Sequence, residues 1–183
     1  LKGVKIRVSG ATLTEAAKAL GAAPTLIPMP EVYLSLQKGV VDGVIFHEER
    51  VLPVKLNELC KYVTYAGASL HTPAFCVVMN PKIWDSLPKD LQAIVYGLIG
   101  GLEGARYFGF HVFGPFPVAA GIKALKDAKV TKITITPEEL AKWRDATKYI
   151  ATNYIAGLQA KGIPAQQIYD ECVRLLGEYQ TQW

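Results

Sequence analysis

The protein is a chain of 183 residues, of which 50% are hydrophobic and 20% charged; this composition can form a core and excludes a disordered chain. Its formal net charge is +4, and the basic residues are scattered singly or in pairs, which excludes the concentrated basic surface of a nucleic-acid-binding protein. No apolar run is free of charges and helix breakers for long enough to predict a membrane-spanning helix.

The three cysteines, Cys60, Cys76 and Cys172, form neither a CxxC pair nor an even set. We therefore predict neither a disulfide framework nor a zinc site, and we expect small buried thiols. The chain begins at Leu1 without a methionine or a signal-like apolar region, as expected for a processed protein or for a piece of a longer one.

The first part of the chain alternates between strand and helix patterns. Strands are predicted over 5–8, 25–27 and 44–46, with a helix over 12–20, capped by Thr12 and Glu15, and another from Pro30 to about 40. This order predicts βαβ units with a parallel sheet and an α/β fold. A polar helix, kinked or restarted at Pro53, is expected over about 47–60.

The next part is rich in residues that favour strands. Residues 62–80 are divided by Gly67 and Pro73, which predicts two strand segments joined by a bend, an arrangement that can carry a chain between two lobes. A helix is predicted from Pro88. Residues 97–121 combine many glycines with aromatic residues, so we expect an interrupted helix or a close-packed surface there.

The last part of the chain is mainly helical. A short strand is predicted over 132–135, and Thr136, Pro137 and Glu139 form a strong helix start. That helix is predicted to end at Gly162, and Pro164 opens a final helix.

Two catalytic signatures begin in this sequence and then fail. Residues 47–51 begin like the HExxH zinc motif, but Val51 stands where the second histidine ligand should be. Residues 67–71 begin like a GxSxG nucleophile elbow, but His71 replaces the final glycine. We therefore expect no enzymatic activity.

The alternative from the enzyme class is a small α/β hydrolase that uses Ser69 with His71 or His111. For His111 itself, packing among the neighbouring aromatic residues is the favoured interpretation. Another alternative, an effector-binding module of a regulator, shares the same fold class.

Arg7 is a candidate for binding an anion. It lies near the end of the first predicted strand, and a loop leads from there into the amino end of a helix, where a carboxylate would be favoured. From the spacing alone, an arginine on the solvent-exposed face of a strand is the commoner explanation.

Seven sequence phrases resemble those of a known family. The Glu-Val-Tyr and Val-Asp-Gly phrases within 30–43 are the most specific, and the full set lies at 1–8, 20–22, 30–43, 55–64, 78–80, 84–88 and 137–140. Together they resemble the solute-binding proteins of tripartite ATP-independent periplasmic (TRAP) transporters, from Leu1 to about Tyr154.

The resemblance implies a two-lobed periplasmic binding protein fold (type II-like), present as a partial chain with extra C-terminal helices. It implies that residues 1–68 form the second α/β lobe, on the side of the ligand carboxylate, and that 69–135 form the hinge-crossing strand and the helices returning to the first lobe. Residues 136–183 are then C-terminal helices packed across the lobes. It also implies a periplasmic location, a carboxylate ligand and a TRAP membrane permease as partner. We expect no cofactor, and no metal because Ile45 cannot ligate one.

The resemblance also suggests site residues. The family's arginine in the Lys-Ile-Arg-Val phrase pairs with the substrate carboxylate, and here it is Arg7. Phe46 stands where many members have asparagine, Met29 where an aromatic residue often flanks the ligand, and Ile45 where some members ligate a metal. We therefore expect a monocarboxylate with an apolar or aromatic body, held by Arg7 and flanked by Met29 and Phe46. Ordinary core packing of Met29 and Phe46 is an equally good explanation.

Two further expectations follow from the resemblance. Ser69 and His71 are expected near the hinge and the cleft floor, where both could contact the ligand. Because the resemblance begins midway in the family's chain, either a missing N-terminal segment or a homodimer is expected to complete the first lobe.

Overall fold

The computed structural model describes residues 1–66 and 75–179. Its first layer is a parallel sheet of β1 (Lys5–Val8), β2 (Ala23–Leu26) and β3 (Gly43–Val44), in the order β2-β1-β3. Helix α1 (Ala11–Ala19) connects β1 to β2, and α2 (Val32–Gln37), which follows a 3-10 turn at Met29–Glu31, leads into β3. The predicted βαβ units are therefore confirmed, although β3 is shorter than expected.

The predicted capping box of α1 is wrong. The N-cap lies two residues earlier than predicted, at Gly10, and it makes no side-chain cap. Thr12 is thereby carried into the first turn, while Glu15 pairs with Lys18 at 3.1 Å. The Thr14 hydroxyl donates to the Gly10 carbonyl oxygen at 2.8 Å, which ties the start of the helix to the preceding turn.

Two hydrophobic clusters hold the chain together. The first packs α1 on β1 and consists of Ile6, Val8, Leu13, Ala17 and Ala22. The second joins segments far apart in the sequence, and consists of Ile27, Val32, Val41, Val51, Val54, Leu56 and Leu125.

Residues 47–60 form neither a helix that kinks at Pro53 nor one that restarts there, so that prediction is wrong. A 3-10 turn at Glu48–Arg50 is followed by the short helix α3 (Leu56–Leu59). Lys55 lies between them in the left-handed region, with φ at 55°, and a helix cannot continue through that conformation. Pro53 also lacks the N–H that a continuous helix would need.

A second parallel sheet pairs β4 (Tyr62–Tyr65) with β5 (Thr131–Thr134). The second strand segment predicted up to residue 80 falls partly on 67–74, outside the described residues. Residues 75–80 form no strand and are exposed, so that part of the prediction is wrong. Helices α4 (Pro81–Ser86) and α5 (Lys89–Ile99) follow.

The glycine-rich segment forms an interrupted helix, as expected. Residues 97–121 comprise the end of α5, all of α6 (Gly101–Val112) and the first part of α7 (Pro115–Asp127), with breaks at Gly100 and at Phe113 and Gly114. A Cβ at Gly114 would collide with the backbone of Phe110, so glycine is required there.

One helical stretch of the described residues, Gly101–Asp127, is long and apolar enough to cross a membrane by length and composition alone, although the sequence predicted no membrane-spanning helix. The break at Phe113 and Gly114 divides this stretch into α6, of 12 residues, and α7, of 13 residues. At about 1.5 Å per residue, each spans roughly 18 to 20 Å, which is less than the hydrocarbon core of about 30 Å. The feature is therefore weak evidence for a membrane span.

The expectation of buried thiols holds for none of the three cysteines in full. Cys60 is half-buried, and burial raises the pKa of its thiol, while Cys76 and Cys172 are exposed. Cys76 lies in the exposed segment 75–80, and Cys172 lies on α9 (Ala165–Tyr179).

Helix α8 (Pro137–Gln159) begins as the sequence predicted. The Thr136 side chain caps it by accepting a hydrogen bond from the Glu139 backbone N–H at 3.3 Å, and Pro137 occupies the first turn. The helix then turns at Gly162, whose φ of 78° favours glycine, and α9 follows.

Replacing Thr136 by alanine is expected to lower the free energy of unfolding by about 1 kcal/mol, because the cap is lost. Chemical denaturation measures this value. The matched control is Thr152→Ala, which removes an exposed hydroxyl from the middle of α8 and should not lower the value, because alanine is the better helix former there. Equal effects of the two variants would contradict the capping role.

Candidate ligand-binding cleft

Arg7 is buried in β1, with only 3% of its surface exposed. Its Nε donates to the backbone oxygen of Ile27 at 2.9 Å, and its Cζ lies 4.7 Å from the centre of the Phe46 ring. Nη1 is buried and has no hydrogen-bond partner among the residues that the structure describes. The explanation from spacing alone, an arginine on the solvent-exposed face of a strand, is therefore wrong.

The electrostatics of Arg7 favour an anion beside it. Burial lowers the pKa of the guanidinium, yet an arginine side chain remains charged at neutral pH. The Phe46 ring offers partial compensation through its π face. A carboxylate can supply what is missing, since it accepts hydrogen bonds from the planar guanidinium in a two-point geometry and neutralises the charge.

Arg7 lines a cavity of about 1190 Å³ together with Met29 and Phe46. Met29 is 39% exposed, so it is not simply a core residue. Phe46 is half-buried and packs against the second hydrophobic cluster while its ring covers the guanidinium. The structure thus brings three of the five predicted ligand contacts to one cavity. The other two, Ser69 and His71, lie outside the described residues.

The cavity is also lined by residues from separate parts of the chain that the sequence did not single out as ligand contacts, among them Arg50, Tyr65, Phe75 and Trp143. The indole Nε1 of Trp143 donates to Glu139 at 3.3 Å. Burial and the negative charge of Glu48 raise the pKa of Tyr65, so its hydroxyl stays protonated at neutral pH and can donate to a ligand. The strand-like pattern of residues 62–80 placed Tyr65 and Phe75 in strands but gave no sign that either faces a cavity.

No group of three or more histidine, cysteine or acidic side chains able to hold a metal ion occurs within residues 1–66 and 75–179. Ile45, at the position where some relatives were expected to ligate a metal, instead packs against the first hydrophobic cluster. His111 packs on Tyr107 and Phe110, with ring centroids 4.3 and 5.3 Å away, and is not among the described residues lining the Arg7 cavity.

The parallel βαβ layer, the second sheet and the cleft with a buried arginine define a two-lobed α/β binding protein, the fold of the periplasmic solute-binding proteins. The sequence profile of bacterial extracellular solute-binding protein family 7 (DctP) matches residues 1–101, and the chain belongs to this family, that of the TRAP solute-binding proteins.

The C4-dicarboxylate-binding periplasmic protein of Rhodobacter capsulatus is 32% identical over 148 residues, which cover 78% of this chain and 42% of that protein. The chain therefore spans less than half the length of this curated relative.

Two solved structures are similar over nearly the whole chain. A TRAP solute-binding protein from Rhodoferax ferrireducens, in complex with co-purified benzoate, is 27% identical with a TM-score of 0.87, over 99% of this chain and 56% of that one. A relative from Bordetella bronchiseptica with bound mandelate is 28% identical with a TM-score of 0.78, over 91% and 52%.

Proposed function

We propose that the protein captures an organic acid as the binding component of a TRAP transporter, and that this acid is a monocarboxylate with an apolar or aromatic body. The observation that carries the proposal is Arg7, a buried cation that lines the cavity with one donor unpaired among the described residues. A ligand carboxylate would satisfy that donor and balance the charge, while a neutral ligand could accept a hydrogen bond but would leave the charge unbalanced.

The surroundings of Arg7 support an apolar body for the ligand. Met29 and Phe46 line the same cavity as Arg7, the Phe46 ring lies against the guanidinium, and Trp143 adds an aromatic surface. Sites that bind small molecules combine such apolar walls with a few polar groups that fix orientation. The benzoate and mandelate found in two similar structures are carboxylates of this kind.

The proposed mechanism is reversible capture without chemistry. Residues 1–68 would form the lobe that holds the carboxylate, 69–135 would return to the first lobe, and 136–183 would pack across both. A ligand that contacts both lobes favours the closed state. In the periplasm, the closed protein would then deliver the ligand to a membrane permease. Completion of the first lobe, by a further N-terminal segment or by a second copy, belongs to the same proposal.

A panel of three compounds tests the proposal on the purified protein. Benzoate supplies a monocarboxylate on an aromatic ring, benzamide is its neutral counterpart, and succinate is a polar dicarboxylate. We expect benzoate to bind most tightly, succinate less tightly and benzamide most weakly, with the dissociation constants measured by ligand-observed NMR titration. A preference for succinate would contradict the apolar body, and equal binding of benzamide would contradict the role of the carboxylate.

A further inference from the structure

Three side chains form a stack beside the cavity: Phe75, Phe113 and Arg50, which we call the aromatic stack. The rings of Phe75 and Phe113 lie 4.3 Å apart between centroids and are inclined by only 11°. The Cζ atom of Arg50 lies 5.3 Å from the centre of the Phe113 ring. These residues come from three separate segments, so tertiary contacts and not local sequence hold Phe75 in place.

The aromatic stack leaves one ring open to the cavity. Phe75 and Arg50 are among the described residues lining it, whereas Phe113 is not, so Phe113 acts as the support behind Phe75. Despite its stacking on Phe113, Phe75 is still 63% exposed. Phe46, another aromatic residue of the same cavity, already has its ring under the Arg7 guanidinium. The exposed part of the Phe75 ring therefore offers an aromatic surface to the cavity.

We infer that Phe75 determines specificity for aromatic acids by receiving the ring of a ligand whose carboxylate is held by Arg7. This inference rests on the proposed function and adds a second contact to it. Aromatic rings prefer offset-stacked or edge-to-face arrangements with one another, and such pairs gain affinity beyond the apolar area that they bury. A saturated ring of similar size and equal charge buries comparable area but lacks that gain. If Phe75 receives the ligand ring, the protein should therefore bind an aromatic acid more tightly than its saturated counterpart.

The test compares benzoate with cyclohexanecarboxylate on the wild-type protein and on Phe75→Leu. Leucine keeps an apolar side chain and removes the aromatic face, so benzoate binding is expected to weaken by about 3- to 10-fold. Cyclohexanecarboxylate should change by less than about 2-fold, because its contact with the side chain is purely apolar. Dissociation constants are measured by ligand-observed NMR titration, with circular dichroism to verify that each variant is folded.

Phe116→Leu is the matched control, since Phe116 is also exposed, at 67%, and is not among the described residues lining the cavity. It should leave both dissociation constants unchanged. Phe113→Leu removes the support behind Phe75 and should weaken benzoate in the same direction.

Two outcomes separate the inference from the proposed function. If wild-type protein binds benzoate and Phe75→Leu keeps the wild-type ratio of the two constants, the inference is overturned and the carboxylate site stands. If wild-type protein binds benzoate no better than benzamide, the proposed function fails and the role of Phe75 fails with it.

Discussion

Replacing Arg7 by methionine is expected to weaken benzoate binding by roughly 100-fold or more, because the ligand carboxylate would be left in a cavity without its cation. Methionine retains an unbranched apolar stem, so the variant removes the charge and the donors while filling most of the space. The benzoate affinity of Arg7→Lys should lie between those of the wild-type protein and Arg7→Met, since lysine keeps a positive charge but loses the two-point geometry.

The Arg7 variants are expected to remain folded. Loss of the Nε hydrogen bond to Ile27 costs about 1 kcal/mol, while removal of a desolvated cation works in the opposite direction. The melting temperature of the Arg7 variants should therefore stay close to that of the wild-type protein, although benzoate binding is lost. The control is Arg106→Met, which removes an exposed arginine paired with Glu103 at 2.8 Å and should leave the affinity for benzoate unchanged. Wild-type affinity in Arg7→Met would refute the proposed site.

Replacing Gly121 by alanine is expected to lower the free energy of unfolding by about 2 kcal/mol. A Cβ at this position would collide with the backbone carbonyl oxygen of Glu48, at the point where α7 crosses the 3-10 turn. Backbone cannot rotate away as a side chain can, so the helix or the turn must move. Because Arg50 ends that turn, benzoate binding should also weaken.

The sign of this effect separates packing from helix propensity. In an unhindered helix, glycine to alanine stabilises by about 1 kcal/mol. Gly109 in α6 and Gly157 in α8 have open space around the corresponding Cβ, so Gly109→Ala and Gly157→Ala should raise stability. Chemical denaturation of the three variants measures the difference. Stabilisation by Gly121→Ala would show that α7 does not pack closely on the turn.

The sequence predicted those parts of the fold that depend on local patterns. The strand at 5–8, the βαβ order and the cap at Thr136 all rest on residues within a few positions of one another. Residues 47–60 were mispredicted because the left-handed conformation of Lys55 and the contact with α7 outweigh a polar helical pattern. Tertiary packing decided that segment.

The candidate site was predictable only in part, for a related reason. The family resemblance implied Arg7, Met29 and Phe46, and these three residues line one cavity. The burial of Arg7 does not follow from the alternation along β1, which favoured exposure. Phe75 and Arg50 are joined through the ring of Phe113, and no spacing rule predicts contact across such separations in the sequence.

The place of Leu125 in the second hydrophobic cluster has a consequence for how the chain acquires its structure. Val51, Val54 and Leu56 are covered in part by a residue that leaves the ribosome about 70 positions after them, and β4 pairs with a strand that emerges later still. Residues 1–101, which match the family profile, are synthesised before Leu125 and β5. The apolar side chains of this segment are therefore fully buried only late in translation, when residues C-terminal to the matched region pack against them.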